Sequence, residues 1–202
     1  MLVRKRSLLV GGVAALAAGT VAAAAAMRKP APLIYTPIAD TQPAAGNGIE
    51  LQGPDALLAT NPAHPIAPFT FADAAGAAHR IGEFAGKAVV INFWATWCVP
   101  CVAELPALAK LAGLAAGDGI VVLALSADRG GAPIVQRFMA SHAIAGLDVW
   151  LDPKGEAGRA LGVRGLPTTI VADRAGRERA RLEGAADWAS GDMLAALRKL
   201  AG

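Results

Sequence analysis

Two stretches of nearly unbroken apolar character stand out along the chain, residues 89–94 (Val-Val-Ile-Asn-Phe-Trp) and residues 120–126. Both are rich in β-branched side chains. Strands covered on both faces read this way, whereas half-solvated strands alternate. Between them, from 98 to 111, leucines at 105, 108 and 111 recur every three residues, the stripe of a helix with one buried face. Residues 69–71 and 78–81 flank Gly76 and predict a hairpin, and 83–86 predict a single helical turn closed by glycine. Further on, the pattern predicts a helix over 133–143, with Pro133 in its first turn, where a missing N–H costs nothing. A strand over 147–151, a short helix over 156–161 and a strand over 168–171 come next. The turn 174–177 then leads into a strand over 178–182. The chain closes with a helix over 190–200 that aligns Met193, Leu194, Leu197 and Leu200. Strands alternating with helices imply an α/β sheet covered by helices on both faces.

The N-terminal third has a different texture. Arg4-Lys5-Arg6 precede residues 7–27, a run without any charge. Positive charge ahead of an apolar run is the pattern of an export signal or a signal anchor. The run is about long enough to cross a bilayer, which takes roughly 20 residues, but it consists mostly of alanine and glycine. An uncleaved anchor is the favoured reading and a cleaved signal peptide the alternative; either exports the rest of the chain. Residues 28–66 carry prolines at 30, 32, 37, 43, 54, 62 and 65, a density that predicts a linker, with at most one helical turn between 49 and 58. The expected organisation is therefore 1–27 signal segment, 28–66 linker and 67–202 folded domain.

Charge narrows the function. The net charge is +3, but residues 67–202 carry 14 basic and 13 acidic groups, so much of the excess belongs to the N-terminus. No basic patch interleaved with aromatics is present, and nucleic-acid binding is set aside.

The chemistry concentrates at Trp94-Ala95-Thr96-Trp97-Cys98-Val99-Pro100-Cys101, which holds both cysteines of the chain. A cysteine at a helix start meets free N–H groups and the positive end of the helix dipole, which stabilise a thiolate. Cys98 is thus placed to attack a disulfide, and Cys101, one turn further in, to resolve the mixed disulfide. Pro100 stiffens the loop. A purely structural staple across so short a loop would stabilise little. Zinc would need further ligands, and His64, His79 and His142 lie at no ligand-like spacing. A Cu(I) site built on two soft thiolates and a thiol peroxidase centred on Cys98 remain as alternatives.

This stretch, with Glu104-Leu105-Pro106 after it and Gly165-Leu166-Pro167-Thr168-Thr169 later, resembles the thioredoxin superfamily, and within it the membrane-anchored TlpA/ResA/CcmG branch of bacterial thiol–disulfide reductases. The resemblance covers residues 67–202. It implies a thioredoxin fold, a central mixed sheet flanked by helices, with an N-terminal hairpin and an extra strand–helix unit, placed here around 133–151. It implies that Cys98 is the nucleophile, Cys101 the resolving thiol, and Pro167 a cis proline facing them. Leu166 would then offer backbone groups to an extended substrate, with Trp97 and Pro100 contributing to substrate contact. Cytoplasmic thioredoxins have a buried aspartate where this chain has Asn92, which cannot act as a base. Glu104 matches an acid of the TlpA/ResA branch and, if partly buried, would exchange a proton with Cys101; the alternative is a surface glutamate near a helix start. Pro106 reads as a structural kink.

The resemblance further implies a redox-active Cys98–Cys101 disulfide as the only redox group, with no separate cofactor or metal. It implies protein disulfide substrates such as apocytochrome c or a copper-site assembly protein, and a transmembrane thiol electron donor. The location it implies is the periplasmic side of the cell envelope, anchored in the inner membrane.

Overall fold

The computed structural model describes residues 51–202, and its strands form one eight-stranded sheet. In chain order these are β1 (Leu58–Pro65), β2 (Thr70–Asp73), β3 (Ala78–Arg80), β4 (Ala88–Trp94), β5 (Ile120–Ser126), β6 (Trp150–Leu151), β7 (Thr168–Ala172) and β8 (Arg177–Glu183). The α-helices described are α1 (Val99–Ala115), α2 (Ala132–Ser141), α3 (Glu156–Ala160) and α4 (Gly191–Ala201). Across the sheet the order is β1-β8-β7-β4-β5-β6-β2-β3. β4 runs parallel to β5 and antiparallel to β7, so the sheet is mixed.

Every residue of β4 is buried, as its unbroken apolar run requires. Its pleat feeds two cores. Ala88, Val90 and Trp94 pack with the α1 leucines and with Met193 and Leu197 of α4; Val89, Ile91 and Phe93 pack with Phe69, Phe71, Leu161 and Ile170 on the other face. Leu105, Leu108 and Leu111 are fully buried, each contributing about 1.5–3 kcal/mol relative to exposure. The same period turns Asn92 of β4 and Thr169 of β7, cross-strand partners in register, toward α1. α4 begins at Ser190, whose hydroxyl accepts the Met193 N–H at 3.2 Å and caps the helix.

Several expectations change. The linker reading of 28–66 fails at its C-terminal end. Residues 54–56 form one 3₁₀ turn, and β1 pairs antiparallel with β8 at the sheet edge. Pro62 and Pro65 are tolerated there because an edge strand needs N–H donors on one side only. The strand expected over 147–151 shrinks to Trp150–Leu151, since Leu147 and Val149 pack onto the core from an unpaired loop. α1 runs to Ala115, beyond the expected 111. The extra strand–helix unit is present as α2 and β6. The predicted signal segment and most of the predicted linker lie outside the described residues. Among the described helices, Val99–Asp118 is long and apolar enough to cross a membrane. Leu105, Leu108 and Leu111 on it are buried in the core of the domain.

Candidate active site

β4 delivers the chain to the site. After Trp94, the Cys98 N–H closes a turn onto the Ala95 carbonyl at 3.1 Å, and Cys98 becomes the N-cap of α1. Val99 and Cys101 present N–H groups in the first turn, while Pro100 has none to leave unpaired. Cys98 and Cys101 are joined by a disulfide with Cα atoms 5.3 Å apart. Cys98 keeps 6% of its surface exposed and Cys101 none, so an incoming partner reaches Cys98 and the second sulfur is shielded. Trp97 and Val99 beside them are 69% and 70% exposed, an apolar rim open to a partner.

The sheet register brings in the proline. Phe93 pairs with Thr168, so Pro167 stands level with Trp94, at the end of β4 from which the cysteine loop departs. The Leu166–Pro167 bond is cis. Pro167 is buried and Leu166 half-buried, and the Pro167 carbonyl accepts from Gly184 N.

Beneath the cysteines, Glu104 is entirely buried. It sits three residues after Cys101 on the buried stripe of α1 (101, 104, 105, 108, 111), so the surface reading of this residue falls. Its Oε1 accepts from Asn92 Nδ2 at 2.8 Å, and its Oε2 accepts from Ala186 N at 2.9 Å and Trp188 Nε1 at 2.8 Å. Burial pushes the carboxyl above its ordinary range, against the pull of those three donors. Asn92 Nδ2 also donates to Thr169 Oγ1 at 2.9 Å, and Asn92 Oδ1 is buried without a partner.

Three contributors carry no mark in the sequence. Trp188 and Ala186 lie on the β8–α4 loop, which is strapped to Gln52 through Gln52 N to Ala185 O and Asp187 N to Gln52 O, both 3.0 Å. Asp128, past the end of β5, binds Thr96 in the cysteine loop. No spacing signal singles out any of them. His64 and His79 lie on the sheet-edge strands, and His142 stacks on Phe138 at 4.0 Å. Among the described residues no group of three or more His, Cys, Asp or Glu converges in a way that would hold a metal ion.

A cysteine pair heading a helix at the end of a central strand, with a cis proline on the neighbouring strand, defines a thioredoxin-fold protein. The chain belongs to the Redoxin family, whose model matches residues 60–197. It is 32% identical over 111 residues to the thiol-disulfide oxidoreductase ResA of Geobacillus thermodenitrificans, covering 54% of this chain and 62% of ResA. Over 118 residues it is 36% identical to the thiol:disulfide interchange protein HelX of Rhodobacter capsulatus, covering 58% of this chain and 59% of HelX. The chain thus spans about three-fifths of the length of these relatives. Among solved structures, a thiol:disulfide interchange protein DsbE from Chlorobium tepidum superposes with a TM-score of 0.59 at 27% identity, over 67% of this chain and 96% of that one.

Proposed function

We propose that this protein is an exported thiol–disulfide oxidoreductase that reduces protein disulfides. The observation that carries the reading is the Cys98–Cys101 pair at the head of α1, with a buried carboxyl one turn below. The names of its relatives, a thiol-disulfide oxidoreductase and a thiol:disulfide interchange protein, support it.

The cycle starts from the dithiol. The Cys98 thiolate attacks one sulfur of the substrate disulfide, forming a mixed disulfide and expelling the other substrate sulfur as a thiolate, which takes up a proton. Cys101 gives its proton to Glu104 and attacks Cys98. The mixed disulfide breaks, the second substrate thiol leaves, and the chain returns to the disulfide-bonded form. Two electrons pass to the substrate. A transmembrane thiol donor would restore the dithiol, since exported compartments oxidise free thiols.

Apocytochrome c or a copper-site assembly protein is the client class that the family resemblance favours. The N-terminal basic and apolar run supports placement on the periplasmic side, anchored in the inner membrane.

Cys98→Ser should abolish reduction of a model protein disulfide, and Cys101→Ser should accumulate a mixed disulfide with the client, identifiable by mass spectrometry. Wild-type protein that leaves all protein disulfides intact, or a redox potential near the −120 mV or so of strong oxidants, would overturn the reading.

A further inference from the structure

We propose that Asp128 positions the Cys98 loop and that its negative charge keeps the Cys98 thiolate from being over-stabilised, so that the dithiol stays a reductant; this rests on the reductase reading above. Ser126, the last residue of β5, pairs with Trp94, and the Ala127 N–H reaches the Trp94 carbonyl at 2.8 Å. The ladder therefore continues past both strand ends and delivers Asp128 beside Thr96. Asp128 is 4% exposed. Its Oδ2 accepts from Thr96 N at 2.9 Å and from Ser126 Oγ at 2.8 Å, and its Oδ1 accepts from Thr96 Oγ1 at 2.7 Å. The Thr96 N–H can only donate, so the carboxyl is held to the loop through its backbone as well as its hydroxyl.

Thr96 is two residues from the nucleophile, and consecutive Cα atoms are about 3.8 Å apart, so the Thr96 and Cys98 Cα atoms lie within about 7.6 Å and the carboxylate is fixed against the loop that carries the sulfur. The free N–H groups of α1 stabilise a Cys98 thiolate, and an anion fixed against that loop opposes them. A less stable thiolate means a less stable reduced form and a stronger reductant. Other charges near the loop are Arg129, exposed next to Asp128, Glu104, buried on α1 below the cysteines, and Arg164, exposed two residues before Leu166 and paired with Glu183 at 3.2 Å.

The test is Asp128→Asn in the full chain. The amide can keep all three bonds, its oxygen replacing Oδ2 and its NH₂ donating to Thr96 Oγ1. The Cys98 thiolate is titrated by its ultraviolet absorbance, and the reduced protein is equilibrated with a reference dithiol at pH 9. The expected result is a thiolate midpoint lower by about half to one pH unit, with the exchange equilibrium moved about three- to tenfold toward reduced protein. Thr96→Val, which strips one donor from the carboxylate and keeps its charge, should raise the midpoint, opposite in sign to Asp128→Asn. A lowered melting temperature with an unmoved midpoint in Asp128→Asn would make Asp128 merely structural and overturn the proposal. If that variant does not fold, Ser126→Ala decides. It strips one donor from the carboxylate and should raise the midpoint, and any other outcome refutes the proposal. Failure of wild-type protein to reduce any protein disulfide would instead sink the reductase reading, leaving the titration to judge Asp128 separately.

Discussion

The Trp188 indole Nε1 donates to Glu104 Oε2 at 2.8 Å, tying together residues 84 apart in the chain. The Ala186 N–H shares that oxygen at 2.9 Å, and Gln52 straps the loop that carries both donors. The buried carboxyl thus has its environment built from β4, from the β8–α4 loop and from a segment ahead of β1. Trp188→Phe keeps most of the ring and deletes the N–H. Losing one hydrogen bond to a buried carboxyl costs about 1–3 kcal/mol. Denaturant unfolding of the oxidised variant should show a loss in that range, and one below about 0.3 kcal/mol would mean the indole N–H does not hold Glu104.

Glu104→Gln should change how stability depends on pH. Burial raises the folded carboxyl above its unfolded value, so the native state binds the proton more tightly. The stability that this proton contributes is complete below the ordinary glutamate range and disappears as pH rises through the raised folded value. Glutamine removes that dependence. It can also be satisfied: with the Asn92 amide turned over, its NH₂ donates to the otherwise unpartnered Asn92 Oδ1, and its oxygen keeps Ala186 N and Trp188 Nε1. The melting temperature of the oxidised variant minus that of wild type should therefore grow between pH 4.5 and pH 8. A difference that is flat with pH would show Glu104 to titrate as it does in the unfolded chain.

Range decides which features the chain reveals before folding. β4, β5 and α1 are legible because burial on two faces or on one stripe writes a local period of hydrophobic positions. Cys98 and Cys101 show by spacing, whereas Glu104 shows only through the family resemblance, and its burial on the 101/104/105/108/111 stripe comes from the fold. Trp188, Asp128 and Gln52 write no period. Each works through a hydrogen bond to a partner far away in sequence, 32 residues for Asp128 and Thr96, and nothing in its neighbours announces it. β1 is hidden for another reason: prolines that forbid a central strand are harmless at an edge, and edge and linker then share one composition. Leu147 and Val149 err in the opposite sense, since their apolar alternation serves packing from a loop without strand pairing.

His79 forms a pH-sensitive clamp on the β2–β3 hairpin. Its Nδ1 lies 2.8 Å from Glu83 Oε2 and its Nε2 lies 3.3 Å from Asp73 Oδ2, with Trp150 edge-on to the ring. The bond to Glu83, then that to Asp73, raises the imidazole above 6.5. Glu83 is lowered chiefly by His79, and Asp73 chiefly by the Ala77 N–H. The histidine's contribution is present below its unfolded pKa and is lost as pH rises through the raised folded value. The carboxylates contribute above their unfolded range, and that contribution is lost as pH falls through their lowered values. The clamp is therefore complete between the two ranges. An NMR titration of His79 should give a midpoint above 6.5 that falls in Glu83→Gln; a midpoint at or below 6.5 would dissolve the clamp.

Asn92→Asp asks why this chain carries an amide at a position where cytoplasmic thioredoxins have a buried acid. Asn92 Nδ2 is 2.8 Å from Glu104 Oε1, so an aspartate would set two buried carboxyls in contact. Like charges at that distance cannot both ionise, and one proton must stay, shared between the pair. Thr169 Oγ1, 2.9 Å from Nδ2, can turn its hydroxyl to donate, but one hydroxyl does not offset a second buried charge. At pH 5 the pair holds its proton and the variant should unfold close to wild type. Toward pH 8 the second ionisation is forced, and the variant should lose about 2–4 kcal/mol relative to wild type. The same change should slow the attack of Cys101 on the mixed disulfide at neutral pH, because Glu104 then shares a proton and accepts the one from Cys101 less readily. A loss of stability equal at pH 5 and pH 8 would mean the substitution acts through shape alone, and the amide at 92 would then owe nothing to the charge of Glu104.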